Sequence, residues 1–155
     1  MELSRIPERK EEDINYSEIV TVARLEPQKN QELLIDAFNL VSKKHQDIVL
    51  KIYGEGSLKN KLQNKIHELG LKDKIFLMGA KQDVLEWIKE SFCFILSSDF
   101  EGLPNSLIEA MCMGIQNLFS LFFPYLNSVT SVTHFSFGLD ALKSLLRLFL
   151  AVLLL

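Results

Sequence analysis

The strongest chemical pattern in the sequence is a pair of carboxylates eight positions apart, in the segment Glu101-Gly-Leu-Pro-Asn-Ser-Leu-Ile-Glu109. Glu101 belongs to a glycine–proline loop, and Glu109 to a helix predicted from about Asn105 to Met113. A helix start presents free backbone N–H groups and a positive dipole end, which together bind anions. A carboxylate on each side of that start can accept hydrogen bonds from sugar hydroxyls. Spacing alone supports two unrelated surface charges equally well.

Two cations, Arg24 and Lys29, stand on one short loop that follows a β-branched run over residues 18–23. The guanidinium of arginine offers a planar fork to phosphate oxygens, and the lysine ammonium offers a mobile point charge. This pair therefore suits a diphosphate. Taken without other evidence, two solvated loop charges explain it better, because basic residues are common in loops.

Glycines follow the next two predicted strands, as Gly54-Glu-Gly56 and as Gly79. Glycine allows the backbone to approach a ligand closely. The segment is not a dinucleotide fingerprint, because that pattern would need glycine where Lys59 stands. A simple tight turn explains Gly54 and Gly56 about as well as a ligand does.

Short apolar runs predict parallel strands over residues 18–23, 48–53, 74–78 and 92–96, with a helix after each. The runs do not alternate with polar residues, as expected when both faces of a sheet are covered. The first helix has Asn30 as its N-cap, the second has Ser57, and the third carries Trp87 inward. The fold class is therefore α/β, and the chemical residues lie at the carboxyl ends of the strands, where such sheets bind ligands.

Composition divides the chain of 155 residues into a linker over 1–17, a domain over 18–115 and an apolar tail over 116–155. Asp140, Lys143 and Arg147 are the only acidic or basic residues of that tail. We expect the apolar run that contains Phe119, Phe122 and Phe123 to add one strand to the sheet. The segment from Leu139 onward is expected to form a helix that covers apolar surface, because its uncharged end is shorter than the ~20 residues of a membrane span.

Charge and cysteine content limit the function classes. A net charge of -3 gives no case for binding nucleic acid. Cys93 and Cys112 show no metal-ligand spacing, so both are predicted to be reduced core residues of a cytoplasmic protein. The N-terminus lacks the apolar segment of a secretory signal. No acidic cluster such as Asp-x-Asp occurs, so we expect no metal.

Four segments, taken in order, resemble family 4 of the GT-B glycosyltransferases. These are Val22-Ala-Arg-Leu-Glu-Pro-Gln-Lys-Asn30, Ile52-Tyr-Gly-Glu-Gly56, Phe76-Leu-Met-Gly79 and the segment from Glu101 to Met111, which is similar to the E-x7-E motif of that family. The resemblance implies a Rossmann-like parallel sheet that forms the C-terminal, nucleotide-sugar-binding half of a GT-B fold. Three departures stand out: Ala23 replaces a usual glycine, the residues before Glu18 do not resemble the acceptor-binding N-terminal domain of that family, and the pattern breaks after Ile115.

The resemblance also implies roles for the residues. Arg24 and Lys29 would hold the diphosphate of a UDP- or GDP-sugar, Glu101 the transferred sugar and Glu109 the ribose, with no cofactor or metal. The remaining residues expected to line the donor site are Gly54, Gly56, Gly79, Gly102, Leu103, Pro104, Asn105 and Ser106.

We expect the acceptor to be held by an N-terminal domain or a separate chain, and the isolated chain to be inactive. Peripheral association with the inner face of the cytoplasmic membrane is compatible with glycolipid assembly. The alternatives are a non-catalytic nucleotide-sugar-binding module or an inactive remnant. A nicotinamide-dependent oxidoreductase is disfavoured by Lys59 and by the lack of an acidic residue at the end of the second strand.

Overall fold

A computed structural model describes residues 6–99, 101 and 103–119 of the chain. Its centre is a five-stranded sheet of order β3-β2-β1-β4-β5, in which all neighbouring strands are parallel. The strands are β1 (Asn15–Val22), β2 (Val49–Tyr53), β3 (Ile75–Gly79), β4 (Ser91–Leu96) and β5 (Gln116–Phe119). The α/β fold class predicted from the sequence is confirmed.

Helices cover both faces of the sheet. They are α1 (Gln31–Ser42), α2 (Lys59–Glu68), α3 (Val84–Ile88) and α4 (Asn105–Cys112). Ile19 of β1 belongs to the apolar cluster that contains residues of α1 and α2. Its neighbour Val20 belongs to the cluster that contains Ile88 of α3 and Leu107 of α4. Because successive side chains of a strand point to opposite faces, the two clusters form the two core layers.

The strands are continuous apolar runs because both faces of the sheet are buried under helices. All six residues of β4 are buried, and the predicted span of 92–96 misses only Ser91. Gly70 ends the region of α2 with a φ of 68°, and Gly114 follows α4 with a φ of 70°. Both occupy the left-handed conformation that commonly stops a helix.

The N-terminal region departs from the predicted linker over residues 1–17. The first strand begins at Asn15, three residues before the predicted start at residue 18. Ahead of it, the guanidinium of Arg9 donates to three carbonyl oxygens, those of Lys89 at 2.8 Å, Ser91 at 2.9 Å and Gly114 at 2.6 Å. Arg9 therefore ties this segment to the residues from which β4 and β5 start.

Three local predictions were wrong. Ser57 does not cap α2, since its hydroxyl donates to Glu26 at 2.8 Å and the helix starts at Lys59. Trp87 is 53% exposed, and the Lys81 ammonium lies 4.9 Å from its ring centre. The short helix α3 buries Ile88 and leaves Trp87 at the surface. Cys112 is exposed at the end of α4, whereas Cys93 is buried as predicted.

Asn30 precedes α1 as predicted, but it does not cap the helix with its side chain. Its φ of 49° places it in the left-handed region, which asparagine tolerates better than most residues. Its side-chain amide donates a hydrogen bond to the Asp99 carboxylate in the loop after β4.

The sheet also extends past residue 115. Strand β5 (Gln116–Phe119) pairs in parallel with β4, from Cys93 opposite Gln116 to Leu96 opposite Phe119. Of the three phenylalanines expected to form an added strand, Phe119 ends β5, and Phe122 and Phe123 lie outside the described residues. The expected helix from Leu139 and the rest of the predicted tail lie outside the described residues. Within the described ranges, no helix has the length and apolar character to cross a membrane.

Replacing Arg9 tests its role in the fold. We expect Arg9→Ala to lower the free energy of unfolding by about 2 kcal/mol, because hydrogen bonds from a charged donor contribute roughly 1.5–3 kcal/mol and the three bonds share one side chain. Urea denaturation measures the change. The control is Lys10→Ala, which removes the same charge from the adjacent exposed residue and should cost less than about 0.5 kcal/mol. Equal effects of the two substitutions would contradict the role of Arg9.

Candidate functional site

The strand order creates a crevice at the carboxyl edge of the sheet. The chain passes from β1 to β2 and β3 on one side, then returns to β4 and β5 on the other. The loops that follow β1 and β4 therefore diverge to opposite sides, and ligands of doubly wound sheets bind at this kind of switch point. The predicted residues Arg24 and Lys29 follow β1, and Glu101 follows β4.

Lys29 and Glu101 meet across this crevice. The Lys29 ammonium lies 2.7 Å from Oε1 of Glu101, and the two side chains are 13% and 10% exposed. The Ser98 hydroxyl donates to the same oxygen at 2.6 Å. Burial raises the pKa of Glu101, but the hydrogen bonds from Lys29 and Ser98 and the charges of Lys29 and Arg24 lower it more. The net pKa lies below its ordinary value of 4.5.

Backbone contacts hold Lys29 in place between the two loops. Lys29 ends a single 3-10 turn, Pro27–Lys29, and its carbonyl accepts a hydrogen bond from the Ser97 hydroxyl at 2.8 Å. The Asn30 amide donates to the Asp99 carboxylate at 2.7 Å, and the Asp99 N–H donates to the Gln28 carbonyl at 2.9 Å. The loops after β1 and β4 are therefore joined on both sides of Lys29.

Arg24 is exposed on the same loop. Its charge helps to lower the pKa of Glu101 and, after the hydrogen bonds from Ser57, the pKa of Glu26. The Arg24 carbonyl accepts from Nε2 of Gln31 at 2.8 Å. Gln31 is fully buried, and its Oε1 has no partner among the residues that the structure describes. The burial of Gln31 and its bond to Arg24 were not predicted, since nothing in the neighbouring sequence distinguishes Gln31 from any other residue at a helix start.

The predicted glycines pack against the chain's own backbone. A Cβ at Gly54 would lie 2.0 Å from the Ala23 carbonyl oxygen, and one at Gly56 would lie 2.4 Å from that of Leu25. The Gly54 N–H also donates to the Gly79 carbonyl at 2.9 Å. These glycines bring the loops after β1, β2 and β3 together. Their predicted contact with a ligand stays a prediction.

The loop before α4 offers the predicted anion site only in part. Leu103 is 71% exposed, Pro104 precedes the helix without a side-chain cap, and Asn105 and Ser106 form the first turn. Gly102 lies outside the described residues. Glu109 is half-buried in the second turn. It makes no hydrogen bond or ion pair with another described side chain, whereas Lys29 and Glu101 are in contact. The predicted binding of sugar hydroxyls by Glu101 and Glu109 stays a prediction.

The described residues contain no group of three histidine, cysteine or acidic side chains that could hold a metal ion.

Comparison with known proteins defines the class to which this fold and site belong. The model of the family described as glycosyl transferases group 1 matches residues 4–124, more than half of the chain. The chain belongs to this family. The resemblance inferred from the four sequence segments is thereby confirmed.

Two curated relatives are longer than this chain, which matches only part of each. An uncharacterised glycosyltransferase of Methanocaldococcus jannaschii is 41% identical over 96 residues, which are 62% of this chain and 24% of the relative. The N-acetylgalactosamine-N,N'-diacetylbacillosaminyl-diphospho-undecaprenol 4-alpha-N-acetylgalactosaminyltransferase of Campylobacter jejuni is 35% identical over 113 residues, which are 72% of this chain and 30% of that protein.

Solved structures share the fold, and those matched are GT-B glycosyltransferases. A mutant of S. aureus TarM, in complex with fondaparinux, alpha-GlcNAc-glycerol and UDP, superimposes with a TM-score of 0.76 at 23% identity. The match covers 90% of this chain and 29% of that one. The Rossmann-like half of a GT-B fold is therefore the architecture of the described residues.

Gly54→Ala tests the contact between the loops after β1 and β2. The added methyl would overlap the Ala23 carbonyl at 2.0 Å, so we expect a loss of unfolding free energy above about 3 kcal/mol. The control is Gly70→Ala. Gly70 also has a positive φ but has nothing within 4 Å of the added atom, and the backbone penalty alone is about 1–2 kcal/mol. Similar losses in urea denaturation would show that the close contact is unimportant.

The pKa of Glu101 gives a prediction for pH. Because folding lowers this pKa, the ionised carboxylate contributes stability above the unfolded-state pKa of about 4.3. That contribution is lost as the pH falls through the folded-state pKa. The wild-type chain should therefore be more stable than Glu101→Gln near neutral pH, and the difference should shrink below about pH 4.5. Urea denaturation at a series of pH values measures it, and a difference that does not vary with pH would disprove the predicted shift.

Proposed function

We propose that this chain is the donor-binding half of a glycosyltransferase, which binds a nucleoside-diphosphate sugar for transfer of the glycosyl group to an acceptor. The observation that carries the proposal is the Lys29–Glu101 contact of 2.7 Å at the switch point of the sheet. At this point the Lys29 ammonium, which can bind phosphate, and the Glu101 carboxylate, which can bind sugar hydroxyls, lie within hydrogen-bond distance of each other. Membership of the group 1 family supports the same conclusion.

In this proposal Arg24 and Lys29 bind the diphosphate. The exposed guanidinium of Arg24 supplies a planar pair of donors, and the Lys29 ammonium supplies a charge held by the joined loops. Both would stabilise the negative charge that develops on the leaving diphosphate, the usual task of fixed donors in transfer reactions. The free N–H groups at the start of α4 would add to this stabilisation.

The carboxylates are proposed to bind hydroxyl groups, Glu101 those of the transferred sugar and Glu109 those of the ribose. Glu109 lies in the second turn of α4 (Asn105–Cys112), one turn beyond the proposed phosphate contact. Uracil is the base that we propose, because solved structures with this fold contain UDP, and guanine is the alternative. The acceptor is proposed to bind to another domain or chain, since the described sheet forms one half of a GT-B fold.

The chain spans about a quarter to a third of the relatives that it matches. A second candidate function is a binding module without catalysis. Both candidates require binding of the nucleotide-sugar. Transfer of sugar in the presence of an acceptor distinguishes them.

Replacing both cations tests the proposed site. Arg24→Ala with Lys29→Ala should weaken binding of UDP by more than about 2 kcal/mol, or roughly 30-fold, since each charge-assisted hydrogen bond contributes about 1.5–3 kcal/mol. Isothermal titration calorimetry with UDP, GDP and their sugar conjugates measures the loss and identifies the base.

The matched control is Lys43→Ala with Lys44→Ala, which also removes two positive charges. Both lysines are exposed and follow α1, whose end lies at the edge of the sheet opposite to the crevice. This variant should bind UDP with nearly wild-type affinity. Unchanged affinity in the Arg24 and Lys29 double variant, or an equal loss in the control, would rule out the site.

A further inference from the structure

The diphosphate-binding lysine of the proposed site is already bonded to an anion of the chain itself. Nζ of Lys29 lies 2.7 Å from Oε1 of Glu101, and only 13% of the lysine side chain is exposed. The Lys29 carbonyl accepts a hydrogen bond from Ser97, and the small exposed fraction of the side chain limits the room for the ammonium to move away from the carboxylate. A diphosphate that approaches Lys29 therefore meets an ammonium that is already paired with the Glu101 carboxylate.

Two anions cannot share this ammonium without cost. The carboxylate and a phosphate oxygen on neighbouring donors of one ammonium would lie within a few ångströms of each other, where like charges repel strongly in a partly buried site. Ser98 offers the carboxylate another donor, because its hydroxyl lies 2.6 Å from the same oxygen. Glu101 can thus leave Lys29 without losing all its hydrogen bonds.

We propose that Glu101 is an internal competitor of the diphosphate for Lys29, and that this competition makes the site prefer a nucleotide that carries a sugar over the bare nucleoside diphosphate. Binding of either ligand displaces the carboxylate from Lys29. With the sugar present, the displaced carboxylate accepts hydrogen bonds from its hydroxyls. Without the sugar the carboxylate gains nothing and returns to Lys29, which favours release of the nucleoside diphosphate after transfer. The inference rests on the proposed function.

The competition predicts an unusual direction for a substitution in a binding site. Glu101→Gln should bind the bare nucleoside diphosphate more tightly than the wild-type chain, by about three- to tenfold, as expected for the loss of one partly buried ion pair. The affinity for the corresponding nucleotide-sugar should rise less or fall. The probe is UDP or GDP, whichever binds the wild-type chain better, and the measurement is isothermal titration calorimetry.

Two further variants separate competition from its alternatives. Glu26→Gln removes a negative charge from the same loop as Arg24, at a carboxylate bonded to Ser57 instead of Lys29, and it should tighten binding by less than about twofold. Glu101→Ala removes the carboxylate without leaving an amide, and it should tighten binding as Glu101→Gln does. Circular dichroism tests whether each variant is folded. If Glu101→Gln does not fold, Glu101→Ala is used for the binding measurement.

The outcomes separate the two proposals. If the wild-type chain binds neither nucleoside diphosphate, the proposed function is wrong, and the competition has no ligand. If it binds one of them and both Glu101 variants bind that ligand with equal or lower affinity, the function stands and the competition is wrong. Equal tightening by Glu26→Gln would also overturn the competition, since general electrostatics would then explain the gain.

Discussion

The pairing of β1 with β4 is the constraint on which the site depends. These strands are adjacent in the sheet but separated in sequence by β2 and β3 and the helices α1, α2 and α3. Both are covered on two faces, so neither can shift without exposing apolar side chains. The position of Lys29 relative to Glu101 follows from this pairing, because each residue stands on the loop directly after one of the two strands. The contact of 2.7 Å is thus a consequence of packing in the layers of the core.

Close approach of backbone adds a second level of organisation at the same edge. The loop after β1 touches the loop after β2 through Gly54 and Gly56, and it touches the loop after β4 through Ser97 and Asp99. It is therefore held from both sides. A loop held in this way can present two cations in a fixed arrangement, which lowers the entropy lost when a ligand binds.

The sequence predicted the features that depend on local pattern. Apolar runs located the strands to within a few residues because doubly buried strands contain little else, and parallel topology then placed Lys29 and Glu101 at one edge. Arg9 could not be found in this way. Its three acceptors lie 80 or more positions away, in carbonyls that no side-chain pattern reveals. Trp87 was misplaced because a short helix offers too few positions to decide which face is buried. The sequence did not decide whether Gly54 and Gly56 lie against a ligand or against the chain's own backbone, because both kinds of close approach require glycine.

A second buried carboxylate shows how the surroundings of a charge decide its role. Glu18, in β1, is 6% exposed. It bonds to Lys51 of β2 and accepts from the Ser91 hydroxyl of β4 at 2.9 Å. Burial, together with the charge of Glu18, raises the pKa of Tyr53 to about 12. Buried charges are tolerated when they are paired and hydrogen-bonded. Both partners of Glu18 belong to strands, so the carboxylate links three adjacent strands of the sheet. Glu101 has the same kinds of partner, a lysine and a serine, but both stand on loops at the open edge of the sheet. Its bonds can be exchanged for those of a ligand while the strands stay in place, which is the property that a binding carboxylate needs.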